Sequence, residues 1–259
     1  MSVLLSVQNL TKRFGGLVAN NDISFDLKRG EILSVIGPNG AGKSTLFKLI
    51  GGFIKPTAGK VIFEGEDITG LPPHVIAERG IVRTFQETTI FKEMTALQNV
   101  VVAHHLQCHA TTWGIFFNSR RAREDEARFR DNAAEILEFL GLSKVLDEPA
   151  GSLPHGYLRA LGIAMGMAAN PTVLLLDEPY AGMNPEETDQ AVELTRKLVQ
   201  RGITVILVEH DMRAVMRISD RIVVICFGSK IAEGRPEEIQ SNETVIEAYL
   251  GREDAALGV

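Results

Sequence analysis

The chain has 259 residues, of which 45% are hydrophobic and 23% charged, with a formal net charge of −6 and two cysteines. That length buries a substantial core as one large domain or a core plus a lobe, and excludes a disordered chain or one small enough to need disulfides. The acidic balance supplies no overall electrostatic footprint for a nucleic-acid backbone, and Cys108 and Cys226, in unlike contexts, are expected as free thiols in a reducing compartment.

The opening stretch MSVLLSVQNLTKRF puts its few apolar residues before its charges and carries no small-residue cleavage pattern, so a cytoplasmic location is expected. Apolar runs such as ITVILV (203–208) and IVVICF (222–227) fall far short of the roughly 20 residues that span a bilayer, and read as buried strands. Any path across a membrane must then belong to another chain.

Residues 1–36 alternate short strand-like runs with turns, and GKVIFEGEDI (59–68) continues the style, predicting a β-rich flank. Between them lies IGPNGAGKST (36–45), which follows the strand-like EILSVI and precedes the helical TLFKLIGG. The pattern is G-x-x-x-x-G-K-[ST] in the strand, loop and helix context it requires. Glycines lack a Cβ, so the backbone of Gly37, Pro38, Asn39, Gly40, Ala41 and Gly42 can curl around phosphate oxygens while the following helix turns its positive end to them. Lys43 reaches the β and γ phosphates, and Ser44, with Thr45 behind it, offers a hydroxyl to Mg2+. This reads as a nucleotide site without choosing among kinases, GTPases, recombinases and transport motors.

From about Pro72 to Asn170 the periodicity turns helical: Ala127, Ala134, Leu137 and Leu140 stand at helix-compatible spacing, and the segment ends at Gly141. Inside this lobe HHLQCH holds two i, i+4 pairs, His104 with Cys108 and His105 with His109, the spacing of metal ligands on a helix. The pairs point about 100° apart and no second ligand set lies near, so a solvated or partner-facing segment is expected. RRARED (120–125) reads as a water-facing helix with local ion pairs. Trp113 and the adjacent GIFF read as core packing or an apolar patch for a partner.

After the lobe the chain alternates TVLLLDE, ETDQAVELTRKLVQRG and ITVILVEH, which predicts a parallel sheet covered by helices on both faces. DRIVVICFGSKIAEG closes it as two strands joined at Gly228 and Ser229. Asp177 and Glu178 emerge at the carboxyl end of a hydrophobic strand, where such sheets face their ligands. Asp177 can hold Mg2+ through water, and Glu178 can accept a proton from an attacking water. Two carboxylates favour hydrolysis over transfer to a second substrate. His210, just past another apolar strand, can reach the γ-phosphate edge of the same crevice; Gln86, in RTFQ, carries no signal alone.

Taken together these segments resemble the ATP-binding subunits of ABC transporters over nearly the whole chain: Phe14, the phosphate loop, Gln86, a signature segment, the Asp-Glu strand, a D-loop and His210, in that order. The resemblance implies an α/β P-loop NTPase fold with a parallel-sheet core, an N-terminal antiparallel β subdomain and an inserted helical subdomain. Residues 1–86 and 171–259 would form the core with its β subdomain, and 87–170 the mostly helical part. It further implies that Phe14 stacks on adenine, that Lys43 and the loop amides hold the phosphates of ATP, and that Ser44, Gln86 and Asp177 serve Mg2+. Glu178 would be the general base and His210 the γ-phosphate sensor, with Lys43 and Gln86 completing the catalytic set. Two such cassettes face head to tail, as a homodimer or with a LivF-like subunit. Their closure pulls on integral-membrane permeases fed by a periplasmic or extracellular solute-binding protein. The chain would sit on the inner face of the cell membrane and take no nucleic acid.

DITGLPPHVIAERGIVRTFQETTIFKEMTALQNV (67–100), DEPYAGMNPEE (177–187) and VIEAYLG (245–251) look like the LivG type, an ATPase of branched-chain amino-acid importers. Related systems carry urea, other amides or hydrophobic amino acids. The signature departs from the family's Leu-Ser-Gly-Gly-Gln: here it is Leu153, Pro154, His155, Gly156, Tyr157. Pro154 removes the serine hydroxyl that in the family touches the partner's γ-phosphate. Leu153, His155, Gly156 and the positive end of the helix YLRALGIAMGMA remain to face it. A weaker sandwich or slower turnover, with hydrolysis intact, is expected. A non-transport ABC ATPase acting on ribosomes or DNA would usually carry two cassettes or a long coiled-coil insertion, and this chain has neither. A nucleotide-binding regulator with weak hydrolysis is what Pro154 motivates and what Lys43, Asp177, Glu178 and His210 oppose.

Overall fold

The computed structural model describes residues 2–84, 90–107 and 119–256. Gln86, Cys108, His109, Trp113 and the GIFF segment lie outside them. The chain opens with β1 (Val3–Phe14) and β2 (Leu17–Lys28), turning at Gly15 and Gly16, then enters β3 (Ile32–Ile36) and α1 (Lys43–Ile50). β4 (Ala58–Phe63), β5 (Glu66–Asp67), α2 (Pro73–Glu78) and β6 (Ile81–Arg83) follow. The helical stretch holds α3 (Ala96–Ala103), α4 (Arg120–Phe139) and α5 (His155–Ala168). The last part runs β7 (Val173–Asp177), α6 (Pro185–Gln200), β8 (Thr204–Val208), α7 (Met212–Ile218), β9 (Arg221–Cys226), β10 (Ser229–Gly234), α8 (Pro236–Gln240) and α9 (Glu243–Ala256).

Two sheets result. One is antiparallel in the order β2-β1-β4-β5; the other runs β10-β9-β3-β8-β7-β6, parallel from β9 to β6 with β10 antiparallel at its edge. Side chains alternate across a strand, and here both faces of the parallel sheet are covered. Leu174, Leu176, Val205 and Leu207 pack with α3, α4, α5 and α6, while Val173, Leu175, Ile206 and Val208 pack with α1 and the antiparallel sheet. In β2 the same alternation buries Ile23, Phe25 and Leu27 and leaves Asp26 and Lys28 in water.

Several local expectations shift. β6 lies inside the stretch read as helical and pairs with β7; three residues are too few to show a period of their own. The closing hairpin turns at Phe227 and Gly228, because Ser229 already pairs with Cys226. His104–Gln107 is a 3-10 turn rather than an α-helix. In it His104 is 1% exposed, stacks on Phe129, and bonds through Nδ1 to Val100 O and through Nε2 to Asn132 Oδ1. That is a satisfied core histidine. In RRARED, Arg120 pairs with Glu124 in water as expected, but Asp125 is buried against Arg128.

Candidate nucleotide site

β3 drives into the phosphate loop and α1 leaves it, so the loop is clamped between sheet and helix. Gly37 passes so close to β9 that a Cβ there would sit 1.9 Å from the Ile225 carbonyl oxygen. At Gly42, with φ +106°, a Cβ would sit 2.3 Å from the Ala19 carbonyl oxygen. Only glycine fits at either place. The loop is also tied from outside: the buried Asn20 Nδ2 donates to Gly42 O at 3.2 Å, and Gly228 N–H donates to Ala41 O at 3.0 Å. Gly37 and Pro38 turn their carbonyls to Lys43, whose Nζ donates to them at 2.6 and 3.1 Å.

Above this cradle is a crevice of about 570 Å³ lined by Phe14, Asn39, Gly40, Ala41, Gly42, Lys43, Ser44, Thr45, Glu178 and His210, with Leu17, Phe227 and Gly228 at its edge. Residues from both halves of the chain therefore meet in one place. Phe14 ends β1 half-exposed, with Lys12 Nζ 5.0 Å from its ring centre. Glu178 has φ +50°, a left-handed backbone uncommon for this residue type, and donates its N–H to Val208 O at 2.8 Å. Its Oε1 lies 2.6 Å from His210 Nε2.

Other expected residues stand apart. Asp177 does not line the crevice; its Oδ2 accepts from Arg83 Nη2 at 2.5 Å. Leu153, His155 and Gly156 also lie away from it, at the start of α5, where a Cβ on Gly156 would be 3.7 Å from Glu187 Oε1. The residue before α5, Pro154, makes no side-chain cap. The hydroxyl of Ser44 and the carboxylate of Asp177 are hard oxygen donors of the kind Mg2+ takes. Among the described residues no group of three or more His, Cys, Asp or Glu is placed to hold a metal ion by itself.

Three supporting residues escape sequence reasoning: Asn20, Arg83 and Glu209. Glu209 is 3% exposed and accepts N–H bonds from Tyr180 at 2.7 Å and His210 at 2.8 Å. Burial pushes its carboxyl up from the usual range, and those N–H groups with that of Asp211 oppose the shift. Its place directly before His210 is the one signal available in the sequence. From the other side Tyr249 of α9 packs on the cluster that contains Ile36; burial pushes its phenol up to about 12, with the Gly37 N–H opposing.

Residues 20–181 match the ABC transporter family, and residues 229–255 match a second family described as the branched-chain amino acid ATP-binding cassette transporter. The chain is 46% identical to the high-affinity branched-chain amino acid transport ATP-binding protein BraF of Pseudomonas aeruginosa, over 96% of this chain and 98% of that one. It is 44% identical to LivG of Escherichia coli K12 at the same coverage. Among solved structures, the ADP conformation of an ATP-binding cassette of an ABC transporter superposes with a TM-score of 0.86 at 34% identity, covering 97% of this chain and all of that one. A dimeric cassette in a post-hydrolysis state with ADP and Pi superposes with a TM-score of 0.75 at 25% identity, over 90% of this chain and 99% of that one. The fold is that of the ABC ATPase cassette, and the chain belongs to the ABC transporter family of ATP-binding proteins, in the group that holds LivG and BraF.

Proposed function

We propose that this chain binds and hydrolyses ATP to power uptake of branched-chain or chemically related amino acids through separate membrane permeases. The observation that carries the hydrolytic part is the 2.6 Å contact between Glu178 Oε1 and His210 Nε2 at the rim of a crevice whose floor is Lys43 and Ser44. In this reading the loop N–H groups and Lys43 hold the β and γ phosphates, Phe14 stacks on adenine, and the loop keeps its course because Gly37 and Gly42 lie against β9 and β2, where a Cβ would clash. Ser44, Gln86 and Asp177 would hold Mg2+, which would supply positive charge to offset that of the phosphate oxygens. Glu178 takes the proton of the attacking water, and His210 holds Glu178 and the γ-phosphate in register.

The substrate class rests on the relatives' names and on the match of the chain's last part to the branched-chain cassette family. Residues 1–86 and 171–259 act as the nucleotide core, and 87–170 as the helical part that carries Leu153, His155 and Gly156 to the nucleotide of a second cassette facing head to tail. Among the described residues no helix is long and apolar enough to cross a membrane; in this reading, which rests on the relatives' transporter names, the permeases are separate chains and this one sits against them on the inner face. The grip is an apolar groove of about 450 Å³ between the core and the helices, lined by Phe53, Phe91, Val102 and Met165.

The test is ATP hydrolysis by the chain reconstituted in vesicles with its permeases and solute-binding protein, with and without leucine, using Glu178→Gln as blank. Leucine stimulation absent from the blank supports motor and substrate class together. Hydrolysis without stimulation keeps the motor and moves the search to other amino acids and amides. Hydrolysis that survives in Glu178→Gln removes the catalytic assignment.

A further inference from the structure

The Glu209 carboxylate spans two loops. Its Oε1 accepts the Tyr180 N–H at 2.7 Å, two residues beyond Glu178 on the loop that leaves β7. Its Oε2 accepts the His210 N–H at 2.8 Å and the Asp211 N–H at 3.4 Å, on the loop that leaves β8. The two loops otherwise meet through the Glu178 N–H on Val208 O and the Glu178–His210 side-chain contact itself. Glu209 is 3% exposed, so the bridge works where water does not compete for its N–H partners.

We infer that Glu209 is a positioning residue for hydrolysis, fixing the separation of the Glu178 carboxylate and the His210 imidazole by tying the two loops that carry them. The inference rests on the catalytic reading of Glu178 and His210 given above. A plain space-filling role would suit an apolar side chain; a carboxylate is needed because N–H donors converge from both sides. An amide of the same shape has one acceptor oxygen and an NH2 group, so it can serve one loop while setting donor against donor at the other. Glu178 already sits in a left-handed backbone, and such a residue holds its place only where its surroundings over-determine it. The Tyr180 end adds to this: its phenol lies buried on Thr195 Oγ1 at 2.9 Å, so Glu209 ties His210 to a loop that Tyr180 itself anchors on α6.

The experiment compares kcat and KM for ATP in the full chain, with the single-turnover rate at excess enzyme measured beside them for variants too slow for steady state. Glu209→Gln is expected to lower kcat about tenfold to a hundredfold, the cost of losing one hydrogen bond to a charged group or of a small misplacement, with KM little changed. In the His210→Ala background the same substitution should lower kcat no further, because the geometry it protects is already gone. Glu209→Asp, which keeps the charge on a shorter arm, should recover part of the loss, and stands in if the Gln variant does not fold. A drop in melting temperature with kcat per folded molecule unchanged, or a full additional loss in the His210→Ala background, overturns the inference. If Glu178→Gln and His210→Ala themselves leave turnover intact, it is the catalytic reading that fails, and the cycle separates the two failures.

Discussion

Arg83 Nη2 meets Asp177 Oδ2 at 2.5 Å, with the two side chains only 11% and 9% exposed. This is a buried ion pair at the carboxyl ends of β6 and β7, and it turns the acidic residue expected to serve Mg2+ toward the edge strand. Removing one partner leaves a charge in low dielectric. Arg83→Ala should therefore destabilise the fold by about 3 to 5 kcal/mol, read as a fall in the urea midpoint. Arg83→Leu with Asp177→Asn should recover much of that stability while abolishing Mg2+-dependent hydrolysis. A single Arg83→Ala variant as stable as the parent would mean that the pair is solvated.

Phe227 and Gly228 make the two-residue turn between β9 and β10 with φ of +47° and +81°. Two left-handed residues are the signature of the turn that prefers Asn-Gly, and a left-handed phenylalanine costs about 1 to 2 kcal/mol. Its ring is 85% exposed at the crevice edge, so little packing offsets that cost. Phe227→Asn should raise stability by about 1 kcal/mol, seen as a higher denaturation midpoint. A fall in ATP affinity beside that gain would assign the ring a contact with the nucleotide; an unchanged midpoint would mean that neighbouring contacts offset the strain.

How much was legible follows from what kind of signal each residue leaves. Gly42, Lys43 and Ser44 are set by local spacing, and Glu178 and His210 by standing at the ends of apolar strands, so a linear reading reaches them. Arg83 acts on a residue 94 positions away and Asn20 on one 22 positions away; only the fold makes them neighbours. Glu209 sits inside ITVILVEH (203–210), yet a glutamate at a strand end is ordinarily solvated, and nothing local announces that two loops close over it. His104 misleads in the other sense: its spacing suits a metal on a helix, whereas the chain takes a 3-10 turn there and packs the ring on Phe129.

Phe91 shows a backbone held firmly under a free ring. The fully buried Asn99 accepts the Phe91 N–H at 2.8 Å and donates to Phe91 O at 3.0 Å, while the side chain is 49% exposed in the apolar groove. Phe91→Asp should change stability by no more than about 0.5 kcal/mol and leave hydrolysis by the isolated chain unchanged. Leucine-stimulated hydrolysis in the reconstituted assembly should be lost. Full stimulation in the variant would move the permease contact elsewhere.

Tyr249 makes stability depend on alkaline pH. Its phenol is raised from 10.0 to about 12 by burial, with the Gly37 N–H opposing. An acid of this sort holds its proton in the folded chain after the unfolded chain has lost it. Stability therefore falls as pH climbs from 10 toward 12. Unfolding free energies measured at pH 8, 10 and 11 should show the parent losing ground to Tyr249→Phe over the upper interval. A difference between parent and variant that stays constant across that range would place the phenol in water.

Pro154 stands where α5 begins and offers no side-chain cap. Two effects of Pro154→Ser oppose each other in stability: a serine cap contributes about 0.5 to 2 kcal/mol, and the loss of proline's restraint on the unfolded chain costs about 0.4 to 1 kcal/mol. The melting temperature should consequently move little. ATP-induced dimerisation is the sharper readout, because in the proposed head-to-tail dimer a hydroxyl at this position would add one hydrogen bond to a charged phosphate oxygen of the facing cassette, about 1.5 to 3 kcal/mol. In the Glu178→Gln background, chosen because the proposed mechanism expects it to keep ATP from turning over, sedimentation should show the dimer tighter by about tenfold to a hundredfold. Equal dimerisation in the two chains, with equal hydrolysis when Glu178 is restored, would mean that the start of α5 does not approach the partner's γ-phosphate.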